Sequence, residues 1–152
     1  MSDDPKEVVR SVFCEVVEKM AFMFADPADA AELDTAGDTC LHSTIEFSGA
    51  LRGKLEMMAP QGLCVMFAAN VLGLDADDPL CAQRAADAVS ETLNVTCGHV
   101  LTAMAGQTPV FELKAPVTNA VGPEAWAAFR QDPAVQGFLV DDAPALLRVT
   151  LA

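Results

Sequence analysis

Within one apolar-patterned stretch, Asp87, Glu91, Asn94 and Gly98 recur at a 4-3-4 spacing. On a helix turning 100° per residue they fall within about 60° of arc. Val89, Leu93, Cys97, Val100 and Met104 occupy the opposite side and form a core stripe. An acid, an amide and a glycine are thus aligned on a face the core does not need. A carboxylate can pair with a lysine, and a carboxamide both donates and accepts, so it can hold a water. On one rigid face the two side chains could enter a partner's active site together. They would add a positioned water without a nucleophile of their own. Positioning contributes on the order of several kcal/mol to a hydrolysis, and phosphoryl transfer asks little else of a protein. Spacing alone favours an ordinary solvated helix face, so the rest of the chain must discriminate.

Other chemistries are poorly represented. Neither G-x-x-x-x-G-K-S/T nor G-x-G-x-x-G occurs, so no P-loop or dinucleotide fingerprint is written here. G-x-S-x-G is absent, and His42 and His99 have no obvious serine or cysteine neighbour for a triad. The acid pairs Asp77/Asp78 and Asp141/Asp142 read as caps and turns. Cys97-Gly98-His99 is half a metal motif with no second pair to complete it, so no metal ligands are expected.

The 22 acids against 9 bases give a net charge of −13 without a Lys/Arg cluster. That argues against a nucleic-acid partner and suits steering toward a basic patch on another protein. The five cysteines are odd in number and widely spaced, which predicts a reduced chain rather than a disulfide framework. No apolar run approaches the roughly 18 residues of a membrane span, and residues 1–7 lack the apolar segment of a signal peptide. A cytoplasmic chain with no membrane partner is expected.

The elements that must position the acid and amide follow from periodicity. The 152 residues, 52% hydrophobic, predict a single domain over 1–152 with a sizeable core. Asp4-Pro5 caps a helix carrying Val8, Val9, Val12, Phe13, Val16, Val17 and Met20 to about Phe24, ended by Pro27. Residues 27–38 read as a surface loop. A hairpin follows, with Leu41, Ile45 and Phe47 and then, after Ser48-Gly49, Leu51, Leu55 and Met57 alternating with polar residues, so each strand should have one wet face. His42 falls on that wet face as an ordinary exposed residue. Pro60 opens a nearly all-apolar, heavily buried helix that Gly73 ends.

Asp78-Pro79 caps one long helix to about Ala105, about 40 Å in length, with the acid and amide near its middle. Pro109 to Ala115 reads as a strand closed by Pro116. A short helix with Trp126 and Phe129 follows Gly122-Pro123, and strands 135–140 and 145–151 end the chain. Hairpin-linked strands with helices on the sheet argue for an α+β fold, largely antiparallel, with two long packed helices. Ser11, Glu15 and Glu18 in the first helix repeat the offsets of Asp87, Glu91 and Asn94, which hints at a worn internal duplication.

Asp87-x-x-x-Glu91-x-x-Asn94, with Gly98 on the same face and Pro116 downstream, resembles the signature of the CheC/CheX/FliY family. These are bacterial phosphatases of the phosphorylated chemotaxis response regulator CheY. Pro116 lies one residue short of the family's spacing. The resemblance spans essentially the whole chain and is nearest to CheX. It implies that Glu91 contacts a lysine of the receiver's active site and that Asn94 orients the attacking water. Asp87, Gly98 and Pro116 would shape the site. The Mg²⁺ would belong to the partner, leaving this chain without a cofactor of its own. Two-centre members carry Glu-x-x-Asn in both long helices. Here the first helix has Glu15-Val16-Val17-Glu18, and a carboxylate at 18 would repel a phosphoryl group, so one competent centre is expected. CheX-like members pair through their sheets, which implies a homodimer. The alternative is a non-catalytic module on the same fold that binds a receiver or a flagellar-switch partner.

Overall fold

The computed structural model describes residues 4–35 and 37–152. Helix α1 spans Pro5–Ala21, started by the Asp4 carboxylate accepting from the Lys6 N–H at 3.0 Å. It ends one turn before the expected Phe24, because Phe22 takes a left-handed φ of 55° and donates to Glu18. Strand β1, Ala25–Ala28, and a 3-10 turn, Ala30–Glu32, then occupy part of the stretch expected as loop. The sequence Ala-Asp-Pro-Ala has poor strand propensity. It pairs only as an edge strand against β6, where Pro27 is tolerated.

Strands β2, Cys40–Ser48, and β3, Gly53–Pro60, form the expected hairpin, with Leu51 in the connecting turn rather than in the second strand. Helix α2 follows over Gln61–Leu72, with Gly73 at φ 70° closing it. The expected long helix is two: α3, Pro79–Gln83, and α4, Ala85–Ala105. Arg84 separates them at φ −101° and ψ 5°. Its N–H still bonds the Leu80 carbonyl and its carbonyl still accepts from Ala88, so the break is a single-residue kink without a proline or glycine to announce it. Helix α4 alone is about 32 Å long.

Strands β4, Glu112–Leu113, and β5, Val117–Val121, both pair with β2. The strand expected to stop at Pro116 resumes after it. Phe47 faces Leu113 and Thr44 faces Val117, so Ile45 and Glu46 oppose the three residues from Lys114 to Pro116. That is a β-bulge, where a residue lacking an N–H costs the ladder nothing. Helix α5, Pro123–Arg130, and the hairpin of β6, Gln136–Val140, and β7, Ala143–Leu151, complete the chain. Asp141 and Asp142, both at positive φ, make its two-residue turn. The result is an α+β fold with a seven-stranded antiparallel sheet in the order β1-β6-β7-β3-β2-β4, β5 sharing the β2 edge with β4.

Helices α1, α2 and α4 cover one face, burying Phe13, Val17, Phe67, Val89 and Leu93 against Ile45, Leu55, Met57 and Leu147. The other face is not wet along its length. Trp126 and Phe129 of α5 bury Cys40, Met58 and Leu146, and the Leu33 carbonyl accepts from Trp126 Nε1 at 3.0 Å and Arg130 Nη1 at 2.6 Å. Strand β3 is therefore enclosed on both sides, with consecutive Met57 and Met58 buried. Helix α2, expected to be heavily buried, leaves Met66, Val71 and Leu72 about two-fifths exposed.

Enclosure of this second face makes His42 something other than an exposed polar residue. It is partly buried, bonds Glu56 at 3.2 Å and packs on the Phe129 ring. Glu56, 3% exposed, also meets its cross-strand partner Arg148 at 2.6 Å, and Arg148 reaches Asp132 at 2.8 Å while stacking on Phe129. Burial pushes the Glu56 carboxyl up, but bonds from His42 and Arg148 outweigh it and hold it below the usual carboxylate range. A carboxyl depressed by folding stabilises above its unfolded value, about 4.3, and loses that contribution as pH falls through the folded value. Denaturation at pH 7 should find Arg148→Ala less stable by about 3 kcal/mol. The deficit should shrink as pH falls below about 4.3 and through the lower folded value, where protonated Glu56 no longer needs the guanidinium.

Candidate functional site

Helix α4 is held on three sides: it packs against α1 and α2 and lies across β2, β3 and β5. Val89, Leu93, Cys97 and Val100 are each at most 2% exposed, as the core stripe requires, and Met104 is partly buried against them. The buried arc is wider than that stripe, since Thr92 and Thr96 are enclosed too. Their hydroxyls donate back to Ala88 at 2.8 Å and Thr92 at 2.7 Å, so both sit in the core without orphaned polar groups.

What remains outside is the arc of Asp87, Glu91 and Asn94, all exposed, and of half-buried Gly98. Asp87 takes an ion pair from Arg84 at 3.3 Å, across the kink. Among the described residues neither the Glu91 nor the Asn94 side chain has a hydrogen-bond or ionic partner. An acceptor-only carboxylate and a bifunctional carboxamide are thereby presented one turn apart, uncommitted. A Cβ at Gly98 would meet nothing within 4 Å, so the glycine leaves open space on this face rather than relieving a clash.

Pro116 stands at the bulge between β4 and β5. Two residues on, Thr118 Oγ1 lies 2.6 Å from Ser90 Oγ and 2.7 Å from Ser43 Oγ. One hydroxyl thus joins the edge strand to β2 and to the turn of α4 that carries Glu91. Ser90 and Thr118, like Arg84, were not singled out by spacing. Only the i,i+3 charge pairing of Arg84 with Asp87 was legible beforehand. Ser90 and Thr118 lie 28 residues apart, and the edge register brings them together.

The offsets repeated in α1 lead elsewhere. Ser11, Glu15 and Glu18 are exposed, but Glu15 is tied to Lys19 at 2.6 Å, and that bond lowers its carboxyl below the ordinary value. Cys97 and His99 point to different sides of α4, the thiol buried and the imidazole exposed, so that pair does not converge on one ion. Among the described residues no three His, Cys, Asp or Glu side chains gather as a metal site would require. No helix among them is long and apolar enough to cross a membrane. All five thiols are free, and burial pushes Cys64 and Cys97 up to about 12.

Comparison with known proteins follows the same lines. No curated protein matches the chain. Among solved structures, the chemotaxis protein CheX from Vibrio vulnificus aligns with a TM-score of 0.74 at 15% identity, over 100% of this chain and 99% of that one. CheX from Desulfovibrio desulfuricans gives 0.70 at 14%, over 97% and 99%. The CheX–CheY–BeF₃–Mg²⁺ complex from Borrelia burgdorferi gives 0.68 at 14%, over 99% of each chain. Identities this low establish the shared fold. The model of the chemotaxis phosphatase CheX family matches residues 41–125, which run from β2 through α4 into α5 and include Glu91 and Asn94. By that match the chain belongs to the chemotaxis phosphatase CheX family.

Proposed function

We propose that this protein accelerates hydrolysis of the aspartyl phosphate on a CheY-type response regulator, inserting Glu91 and Asn94 into the receiver's active site. The observation that carries the reading is the uncommitted acid–amide pair on the one face of α4 that the core leaves free. Membership of the CheX family supports a phosphatase, and the Borrelia burgdorferi complex shows a CheX protein of the same fold bound to CheY. Glu91 pairs with a lysine of the receiver. Asn94 holds the water in line through its carbonyl oxygen and amide. The Mg²⁺ is carried by the receiver as part of the substrate. The reading places the protein in the cytoplasm, with a homodimer through the sheet as its assembly.

The chemistry asked of the chain is positioning, not covalent catalysis. A water held in line removes orientational freedom before the reaction begins, and charge on the transferred group is met by groups on the receiver. Asp87 and Gly98 shape the approach: the first is held by Arg84, and the second keeps the face low beside Asn94. The pair in α1 does not duplicate this centre, because Glu15 is engaged by Lys19 and position 18 offers a carboxylate where an amide is needed.

Phosphate release from a phosphorylated CheY-type receiver measures the proposal. Asn94→Ala should return the rate to that of the receiver alone while leaving the melting temperature unchanged, since the residue is exposed. Glu91→Ala should weaken binding more than it lowers the maximal rate. Binding without any acceleration by the unaltered protein would support the non-catalytic module instead. Gly98→Ala should raise stability by up to about 1 kcal/mol, the difference between glycine and alanine within a helix, whereas the bulkier Gly98→Gln should raise KM by crowding the face.

A further inference from the structure

The helix layer leaves apolar surface open beside the acid–amide face. Between the last turns of α2, the short α3 and the first turns of α4 lies a groove of about 270 Å³. Val71, Leu72 and Leu80 wall it and are 44%, 45% and 39% exposed. Asp87 and Glu91 line the same groove, so it is continuous with the candidate site. Large aliphatic side chains gathered in one concavity mark a surface that gains by being covered. Their source is α2, whose apolar residues exceed what the core can enclose.

We infer that this groove receives an apolar side chain of the receiver, set beside a basic one, and anchors the partner while Glu91 takes its lysine. The inference rests on the phosphatase reading, since the occupant is the same phosphorylated receiver. Three observations select this occupant. At about 270 Å³ and walled chiefly by aliphatic side chains, the groove suits the single buried anchor of a protein interface. On its rim Arg84 and Asp87 pair at 3.3 Å, which leaves the Glu91 carboxylate as the uncommitted charge, and with the chain at −13 the receiver's lysine beside the anchor is complementary. Glu91 belongs to the groove and to the site alike, so whatever fills the first must adjoin whatever meets the second.

The test substitutes Leu72→Ser and Leu80→Ser, two half-exposed positions where the apolar anchor surface is removed without adding charge, with melting by circular dichroism to confirm the fold and Leu72→Ala as the milder replacement if it is lost. Dephosphorylation of a phosphorylated CheY-type receiver should show KM raised roughly tenfold, the effect of losing one anchor, with kcat within about twofold of the unaltered protein. Affinity for the receiver loaded with beryllofluoride and Mg²⁺ should fall by the same factor. Asn94→Ala should do the reverse, lowering kcat. Unchanged KM in the groove variants, with the unaltered protein active, would overturn the groove alone. Absence of acceleration by the unaltered protein overturns the phosphatase reading and this inference with it. A change from dimer to monomer on sedimentation in the groove variants would overturn it in favour of a second copy of this chain.

Discussion

Burial of one side of α4 is the constraint on which the site depends. Val89, Leu93, Cys97 and Val100 lock the helix between α1 and α2 and onto β2 and β3. Each such side chain contributes about 1.5–3 kcal/mol when fully enclosed, so a different rotation of the helix would forfeit several of them at once. A turn of 100° per residue then leaves no choice for the others. Rotating α4 enough to bury Asn94 would push Leu93 toward water. The direction in which the acid and amide face is thus fixed by core residues that never touch a partner, and it is fixed before any partner arrives.

The opposite face of the sheet contributes stiffness of another kind. Met58, Trp126, Phe129 and Leu146 close it with apolar contact, and the chain of His42, Glu56, Arg148 and Asp132 crosses from β2 to β3 to β7 and on to the residues after α5. Because β3 is enclosed on both faces, the hairpin beneath α4 cannot shift register without exposing a methionine or unpairing a buried carboxylate. The platform under the site is therefore held from below as well as from above.

Much of this was legible in the residue pattern. The α1 cap at Asp4-Pro5, the β2–β3 hairpin, the stop at Gly73 and the terminal β6–β7 pair follow from caps, alternation and turn residues. So does the exposed arc of Asp87, Glu91 and Asn94. What was not legible depended on neighbours. Ala25–Ala28 becomes a strand only because β6 offers it an edge, and His42 is sheltered only because α5 folds over alternate positions that read as wet. The kink at Arg84 has no breaker residue to signal it. The apolar excess of α2 predicted burial, yet a residue type says nothing about whether the core has room, and Val71 and Leu72 were left outside.

The bulge at Ala115 and Pro116 has a bearing on assembly. An unpaired strand edge is an open template, and proteins usually restrict it with prolines, charges or bends. Here the edge facing away from β2 is divided into two short rails, Glu112–Leu113 and Val117–Val121, offset by one residue. A strand added from another molecule can follow one rail but cannot run straight across both. Any sheet continued past this edge would be limited to about five residues in a single register, and through Thr118 and Ser90 that register would be mechanically linked to the turn bearing Glu91.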